Sequence, residues 1–161
     1  MDGSANLTGE APFRRPDERV LVDVLLDTDI LIDLALDLAP FAEPAGRLLD
    51  LLERRQATGF MAWHGAANFY YLVAPKRGKE GTRVFLLGLA RFIEIAPTTT
   101  ESLRQAGRLD VRDFEDAMQV AAGLACGADV IATRNTRDYR GAPIEAVSPS
   151  DLVERIPPPG R

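Results

Sequence analysis

Two spacings of apolar residues recur along the chain and predict two kinds of secondary structure. Short runs rich in Val, Ile and Leu are typical of strands that are buried on both faces. Apolar residues placed three and four positions apart are typical of helices that bury one face. The clearest helix is predicted over residues 113–126, where Phe114, Ala117 and Met118 begin such a stripe and Gly127 suits a left-handed helix end.

The order of these elements predicts an α/β fold. Strands alternate with helices, and this alternation is typical of a parallel sheet covered by helices on both faces. We therefore expect a three-layer α/β/α domain with a short, mainly parallel sheet of four to five strands. The predicted strands are 20–27, 60–63, 92–96, 129–133 and 145–147. The predicted helices are 30–38, 44–56, 65–73, 81–92, 100–107, 113–126 and one that starts at 148–150, with breaks expected at Thr58-Gly59 and at Pro75.

Length and composition predict a single folded domain. The chain has 161 residues, of which 46% are hydrophobic and 27% charged, and these values are ordinary for a globular protein. Residues 1–19 are interpreted as a flexible N-terminal tail, 20–156 as the domain and 157–161 as a loose C-terminal tail. The net charge of −5 argues against a general nucleic-acid coat protein, but it permits a local basic patch or an acidic cluster neutralised by a metal.

Cysteine content and hydropathy favour a cytoplasmic protein that does not contact membranes. Cys126 is the only cysteine, so it cannot form an internal disulfide, and we interpret it as a small core residue in a reducing compartment. No apolar run reaches about 18 residues, so no membrane span is predicted. The first 19 residues lack the apolar segment of a signal peptide.

Acidic residues follow two of the predicted strands and begin one predicted helix. Asp27 and Asp29 follow the first strand, and Asp138 comes shortly after the fourth. Asp113 and Asp116 are three residues apart at a helix start, so they share one face of that helix. Functional residues of parallel sheets gather at the carboxyl ends of the strands. We therefore expect these acids to lie along one rim of the fold.

Such a cluster is suited to a hard divalent cation. Neighbouring carboxylates repel one another and raise each other's pKa values, and a bound cation removes this penalty. Oxygen ligands alone favour Mg²⁺ or Mn²⁺ over zinc, and this arrangement is used for phosphodiester cleavage. The alternative is purely structural, because aspartates at helix starts also act as caps and interact favourably with the helix dipole.

Three segments together resemble the PIN-domain family, which includes the toxin ribonucleases of bacterial VapBC toxin–antitoxin pairs. They are 25–33 (LLDTDILID), 113–122 (DFEDAMQVAA) and 128–139 (ADVIATRNTRDY). The segment 143–149 (PIEAVSP) is similar to the last strand and helix start of that family. The resemblance spans roughly 20–156 and rests on the order and spacing of the segments together. It implies a PIN-like three-layer fold.

The resemblance also implies a quartet of acids that holds Mg²⁺ or Mn²⁺. Asp27 matches the first acid, and Asp116 matches the third, with Asp113 as a helper one turn earlier. The second acid is expected within 66–71, where Asn68 stands. At the fourth position the family's acid is replaced by an amide, so the expected ligands there are Asn135 and Asp138.

Basic residues beside this rim are candidates for contacts with RNA. Thr133, Arg134 and Arg137 are expected to bind substrate, because arginines next to a metal site can hold RNA phosphates. The same arginines could instead offset the charge of the acids. Four aromatic residues are expected in the core and not as platforms for stacked bases: Trp63, Phe69, Tyr70 and Tyr71.

Two functions from different classes follow. The first is a metal-dependent ribonuclease, the toxin of a toxin–antitoxin pair, with RNA and an antitoxin as partners. The second is a PIN-like binding or regulatory domain with a weakened site, which Asn68 and Asn135 favour. A signalling domain on a similar sheet would need a lysine after the last strand, and none stands there. The resemblance also implies a homodimer, for which the apolar helices 30–38 and 44–56 could form the face or be buried within one chain.

Overall fold

The centre of the fold is a five-stranded sheet whose strands all run parallel, in the order β3-β2-β1-β4-β5. The computed structural model describes residues 21–158. The strands are β1 Asp23–Leu26, β2 Thr58–Met61, β3 Ile93–Ile95, β4 Val130–Ala132 and β5 Glu145–Val147. The helices are α1 Thr28–Ala35, α2 Ala42–Glu53, α3 Trp63–Arg77, α4 Lys79–Leu89, α5 Thr100–Ala106, α6 Phe114–Cys126 and α7 Pro149–Arg155. A short 3₁₀ helix covers Thr136–Tyr139.

Alternate residues of the central strands enter two separate hydrophobic clusters. Val24 and Leu26 of β1 pack into the larger cluster with α1, α2, α3 and α7, whereas Leu25 packs into a second cluster with α6. Successive side chains of a strand point to opposite faces, so both faces of β1 are covered. The predicted three-layer α/β/α fold with a parallel sheet is therefore confirmed, and it has five strands.

Most predicted elements are present with ends shifted by a few residues, but two predicted breaks are wrong. Gly59 lies inside β2 and not in a turn. A Cβ atom there would come within 2.9 Å of Leu52 Cδ1, so the glycine allows α2 to pack closely on the sheet. Pro75 lies inside α3 and does not end it. Because Pro75 and Tyr71 are both exposed, water can satisfy the Tyr71 carbonyl that lacks a donor.

Two aromatic residues predicted for the core lie at the surface instead. Trp63 is 70% exposed and Tyr71 is 76% exposed, whereas Phe69 between them is fully buried. The apolar helices predicted as a dimer face bury their stripes within the chain, since Leu31 of α1 and Leu48 of α2 belong to the core.

The predicted tails mostly lie outside the described residues. Residues 1–20 and 159–161 are not covered, so the boundaries of the domain stay a prediction. Within 21–158, no helix is long and apolar enough to cross a membrane.

The strand order reverses beside β1. The chain builds β1, β2 and β3 toward one edge and then returns to place β4 on the other side of β1. The crevice outside the carboxyl ends of strands at such a reversal is where ligands bind in open α/β sheets. The Asp27 backbone N–H donates to the Ala132 carbonyl at 2.9 Å, which holds these two strand ends together. The structure thus places residues 27 and 133 side by side at this crevice.

Candidate metal centre

Asp27 lies at the reversal point and is almost completely buried. It directly follows β1 and is 7% exposed. Its Oδ2 accepts hydrogen bonds from the Tyr139 hydroxyl at 2.8 Å and from Thr133 Oγ1 at 2.9 Å. Burial raises the pKa of Asp27, and these two hydrogen bonds oppose that rise. Burial and the charge of Asp27 raise the pKa of Tyr139, so its phenol keeps its proton and remains a donor.

A second carboxylate, to which the family resemblance assigns no role, lies next to Asp27. Asp29 Oδ2 is 3.3 Å from Thr133 Oγ1 and accepts from Asn135 Nδ2 at 3.2 Å. The Asn135 backbone N–H in turn donates to Thr133 Oγ1 at 3.1 Å. Burial and the neighbouring charge of Asp27 raise the pKa of Asp29 to about 7. Thr133 therefore ties the loop after β4 to both carboxylates after β1.

The start of α6 brings further acids to the same crevice. Asp113 caps this helix and accepts from the backbone N–H groups of Glu115 at 2.9 Å and Asp116 at 3.1 Å. Carboxylate oxygens of Asp113, Glu115 and Asp116 lie within 4.8 Å of one another. A cleft of about 370 Å³ is lined by Asp113, Asp116, Asp138 and Arg112. The structure thus gathers three of the predicted acids at one opening.

The electrostatics of Asp116 link this cleft to Asp27. Burial and then the charge of Asp27 raise the pKa of Asp116 to about 7, with smaller contributions from Glu115, Asp113 and Asp138. A cation bound beside such a half-buried carboxylate would relieve its repulsion with the neighbouring acids and favour its ionised form. The capping and metal-binding alternatives are compatible, because Asp113 caps α6 while its neighbour Asp116 interacts with the charge of Asp27.

Glu115 is held by a polar chain behind the cleft. It lies 3.1 Å from His64 Nε2 and accepts from Gln119 Nε2 at 3.2 Å. The bond to His64 lowers the pKa of Glu115. Gln119 is fully buried and also donates to Thr28 Oγ1 at 3.1 Å. This chain joins α1, α3 and α6 directly behind Asp27.

Asn68 lies on α3, one helical turn beyond His64. The two residues are four positions apart and so share a face of the helix, and His64 contacts the start of α6 from that face. Asn68 is exposed. Its assignment to the second-acid position stays a prediction.

Arg134 is engaged with acids and not extended into solvent. Its Nη1 is 3.2 Å from Asp33 Oδ1, its Nε is 3.8 Å from Asp29 Oδ2, and its guanidinium lies 4.5 Å above the Phe41 ring. These contacts favour the alternative in which the arginine offsets carboxylates. Arg137 is exposed in the 3₁₀ helix, whereas Thr133 is completely buried. Predicted contacts of Thr133, Arg134 and Arg137 with RNA stay predictions.

The donor set fits a hard divalent cation. All candidate ligands supply oxygen, as Mg²⁺ and Mn²⁺ prefer. Asp29 Oδ1 is a buried oxygen that accepts no hydrogen bond from any residue in the part of the chain that the structure describes. Burial also raises the pKa values of Asp27, Asp29 and Asp116. A cation would satisfy the unpartnered oxygen and remove the repulsion among these carboxylates.

Known proteins share this fold. The family model for the PIN domain matches residues 23–137. No curated protein sequence matches the chain significantly. Among solved structures, VapBC2 from Rickettsia felis, bound to a DNA fragment from its promoter, is similar with a TM-score of 0.63 and 17% identity, over 79% of this chain and 98% of the other. VapBC-1 from nontypeable Haemophilus influenzae is similar with a TM-score of 0.60 and 14% identity, over 80% of this chain and 99% of the other. The sarcin–ricin loop cleaving toxin VapC20 from Mycobacterium tuberculosis is similar with a TM-score of 0.54 and 16% identity, over 67% of this chain and 86% of the other.

Proposed function

Because the chain belongs to the PIN-domain family, we propose that it is a ribonuclease that depends on Mg²⁺ or Mn²⁺ and cleaves RNA internally. The observation that carries this proposal is the cleft that gathers Asp113, Asp116 and Asp138, whose Asp116 also senses the charge of Asp27 at the strand reversal. Solved structures of the same fold include one described as a sarcin–ricin loop cleaving toxin. We further propose that this chain is the toxin of a toxin–antitoxin pair.

Each acid has a distinct part in the proposed site. Asp27 and Asp116 would hold the cation directly, and Asp113 or Asp138 would complete its shell through water. Both side-chain hydrogen bonds to Asp27 reach Oδ2 and would hold this carboxylate in place for the cation. When bound, the cation supplies a water of lowered pKa and offsets charge on the phosphate. Asn135 would contribute its amide oxygen.

The surrounding residues would orient these groups. Tyr139 and Thr133 fix Asp27 by donating to it, and the raised pKa of Tyr139 keeps the phenol a donor. Arg137 is exposed in the 3₁₀ helix that also carries Asp138, and it would contact RNA phosphates. Because the chain carries a net charge of −5, we expect binding of RNA to depend on such local cations and to weaken with salt.

The decisive experiment compares Asp27→Asn with the unaltered chain in cleavage of single-stranded RNA with Mg²⁺ or Mn²⁺. Loss of a ligand carboxylate should reduce the rate by more than about 100-fold, since even residues that only support ligands are worth about 10–100-fold. Asp50→Asn is the matched control, because Asp50 is an exposed acid of α2 outside the site. Equal rates for Asp27→Asn and the unaltered chain would refute this assignment.

The second candidate function is binding without catalysis. Amides stand at two positions where the family resemblance places acids, Asn68 and Asn135. An amide oxygen ligates a cation as a dipole and not as a charge, so it attracts the cation less. If the unaltered chain binds RNA or protein but cleaves no RNA with Mn²⁺, a regulatory PIN-like domain is the better description.

We also propose an antitoxin partner, a homodimer and a cytoplasmic location. The solved structures of VapBC2 and VapBC-1 support the first of these. A small reading frame with a DNA-binding pattern directly upstream of this gene would support the toxin. Copurification of its product with this chain in a fixed ratio would test the partnership.

A further inference from the structure

Asp29 and Asn135 form a pair that joins the loops after β1 and β4. They are 106 residues apart in the chain, yet Asn135 Nδ2 donates to Asp29 Oδ2 at 3.2 Å. Thr133 Oγ1 lies within hydrogen-bond distance of both Asp27 and Asp29, at 2.9 Å and 3.3 Å. Asp29 is therefore connected through one hydroxyl to the carboxylate that we place at the centre of the site.

The chemistry of this pair fixes the direction of the amide. The NH₂ group of Asn135 faces Asp29 in the structure, which suits the ionised carboxylate because that form only accepts hydrogen bonds. The opposite end of that amide, Oδ1, is then available as a ligand. Asp29 consequently selects one of the two orientations of the Asn135 side chain.

Asp29 also has an oxygen of its own without a partner. Oδ1 is buried and accepts no hydrogen bond from residues 21–158. The Asp29 side chain is only 15% exposed, so water does not readily compensate. A buried acceptor without a partner is costly, and a cation would remove that cost.

The neighbouring arginine offsets the charge of Asp29 only in part. Arg134 lies closer to Asp33, at 3.2 Å, than to Asp29, at 3.8 Å. Asp33 is 1% exposed and has no hydrogen-bond donor among the described residues, so it depends on the charge of Arg134. Arg134 is shared between two carboxylates, so a second cation near Asp29 would be favourable.

We infer that Asp29 and Asn135 together replace the fourth acid of the site. Asp29 supplies the negative charge and ligates the cation, while Asn135 adds a neutral oxygen that Asp29 orients. This inference rests on the proposed metal-dependent function. It explains how an amide at position 135 is compatible with a working site. It also predicts that one carboxylate at either position favours cation binding, whereas carboxylates at both positions do not. Two carboxylates at 3.2 Å would repel each other.

The test is a swap measured by Mn²⁺ binding. Calorimetry on the full chain compares the unaltered chain with three variants. Two carry a single substitution, Asp29→Asn or Asn135→Asp, and the third, the double variant, carries both. We expect Asp29→Asn to weaken Mn²⁺ binding by about 10–100-fold, the range found when groups around a metal site are altered. The double variant should recover most of that loss, because it exchanges the two residues and keeps the charge. Asp50→Asn, which alters an exposed acid of α2, should bind Mn²⁺ like the unaltered chain.

Three outcomes would overturn the inference, and they differ in whether they also overturn the proposed function. If the unaltered chain binds Mn²⁺ and cleaves RNA but Asp29→Asn binds Mn²⁺ equally well, Asp29 is not a ligand and the proposed function stands. If the unaltered chain binds no Mn²⁺ at millimolar concentration, both fail. If Asp29→Asn does not fold by circular dichroism, the double variant decides, and a folded double variant that binds no Mn²⁺ refutes the swap.

Discussion

Asp116 lies among other carboxylates, and burial together with their charges raises its pKa to about 7. In an unfolded chain the same group titrates near 3.8. Below about pH 4 it is protonated in both states, so folding carries no penalty. As the pH rises toward 7, the unfolded state loses this proton before the folded state does. Without metal, ionisation of Asp116 therefore lowers the free energy of unfolding increasingly between about pH 4 and pH 7.

This titration gives a prediction at the scale of one residue. In EDTA, Asp116→Asn should melt at a higher temperature than the unaltered chain at pH 8, and the difference should shrink at pH 5. Because Asp116 is only half-buried, solvent screens part of the effect, and we expect a gap of about 2–4 °C. Added Mn²⁺ should raise the melting temperature of the unaltered chain and not that of the variant. A gap that is equal at both pH values would contradict the assigned pKa.

Some residues of the candidate site could be predicted from the sequence, and others could not. Asp27, Asp113 and Asp116 could be predicted, because strand ends and helix starts are visible in the apolar pattern. The roles of Asp29 and Tyr139 could not be assigned. Tyr139 is bonded to Asp27 across 112 positions, and its buried hydroxyl has no signature in a single sequence. The sequence thus identifies the acids, while the groups that hold them depend on how distant loops meet.

At the scale of elements, a partly buried polar chain links α1, α3 and α6 to one another. Gln119 of α6 bonds Thr28 of α1, and Glu115 of α6 contacts His64 of α3. Gly65 of α3 makes the close approach possible. A Cβ atom there would lie 2.9 Å from Thr28 Oγ1 and 3.5 Å from Gln119 Nε2. The helices that carry the site are therefore spaced by a glycine.

Gly65→Ala should destabilise the fold despite the better helix propensity of alanine. The added methyl group would displace the Thr28 hydroxyl and break its buried hydrogen bond, at a cost of about 1–3 kcal/mol. Gly88→Ala is the matched control, since a Cβ atom at Gly88 of α4 would have no neighbour within 4 Å, and this variant should gain about 0.5–1 kcal/mol. Urea unfolding measures both. A Gly65→Ala variant as stable as the Gly88→Ala variant would show that α3 can shift freely.

Glycine and proline also explain why two element boundaries differ from their prediction. The sequence predicts a break at Gly59, but the structure uses this residue inside β2 to admit Leu52 of α2. Pro75 predicts the end of a helix, but α3 continues to Arg77 in solvent. Glycine and proline mark positions with unusual backbone requirements. The sequence alone does not show whether such a position is a turn, a close contact or an exposed turn of helix.

At the scale of the whole molecule, several exposed apolar residues cluster on α3 and α4. The helices predicted as a dimer face bury their apolar stripes within the chain, so a homodimer would need another surface. Trp63, Leu87 and Ile95 line a groove of about 380 Å³, and Leu87 is 56% exposed. Large exposed apolar patches on a monomer mark interaction sites. We therefore place the proposed homodimer contact on this groove.

The charge change Leu87→Glu should disrupt that dimer while leaving the fold intact. A buried glutamate in an isologous contact appears twice, once from each copy, so repulsion and desolvation both act against association. Sedimentation at micromolar concentration should give a dimer for the unaltered chain and a mass near 17.6 kDa for the variant. Leu38→Glu is the control, because Leu38 is also partly exposed but follows the end of α1, away from the groove. A dimer that survives Leu87→Glu and dissociates with Leu38→Glu would move the interface from the groove to the end of α1.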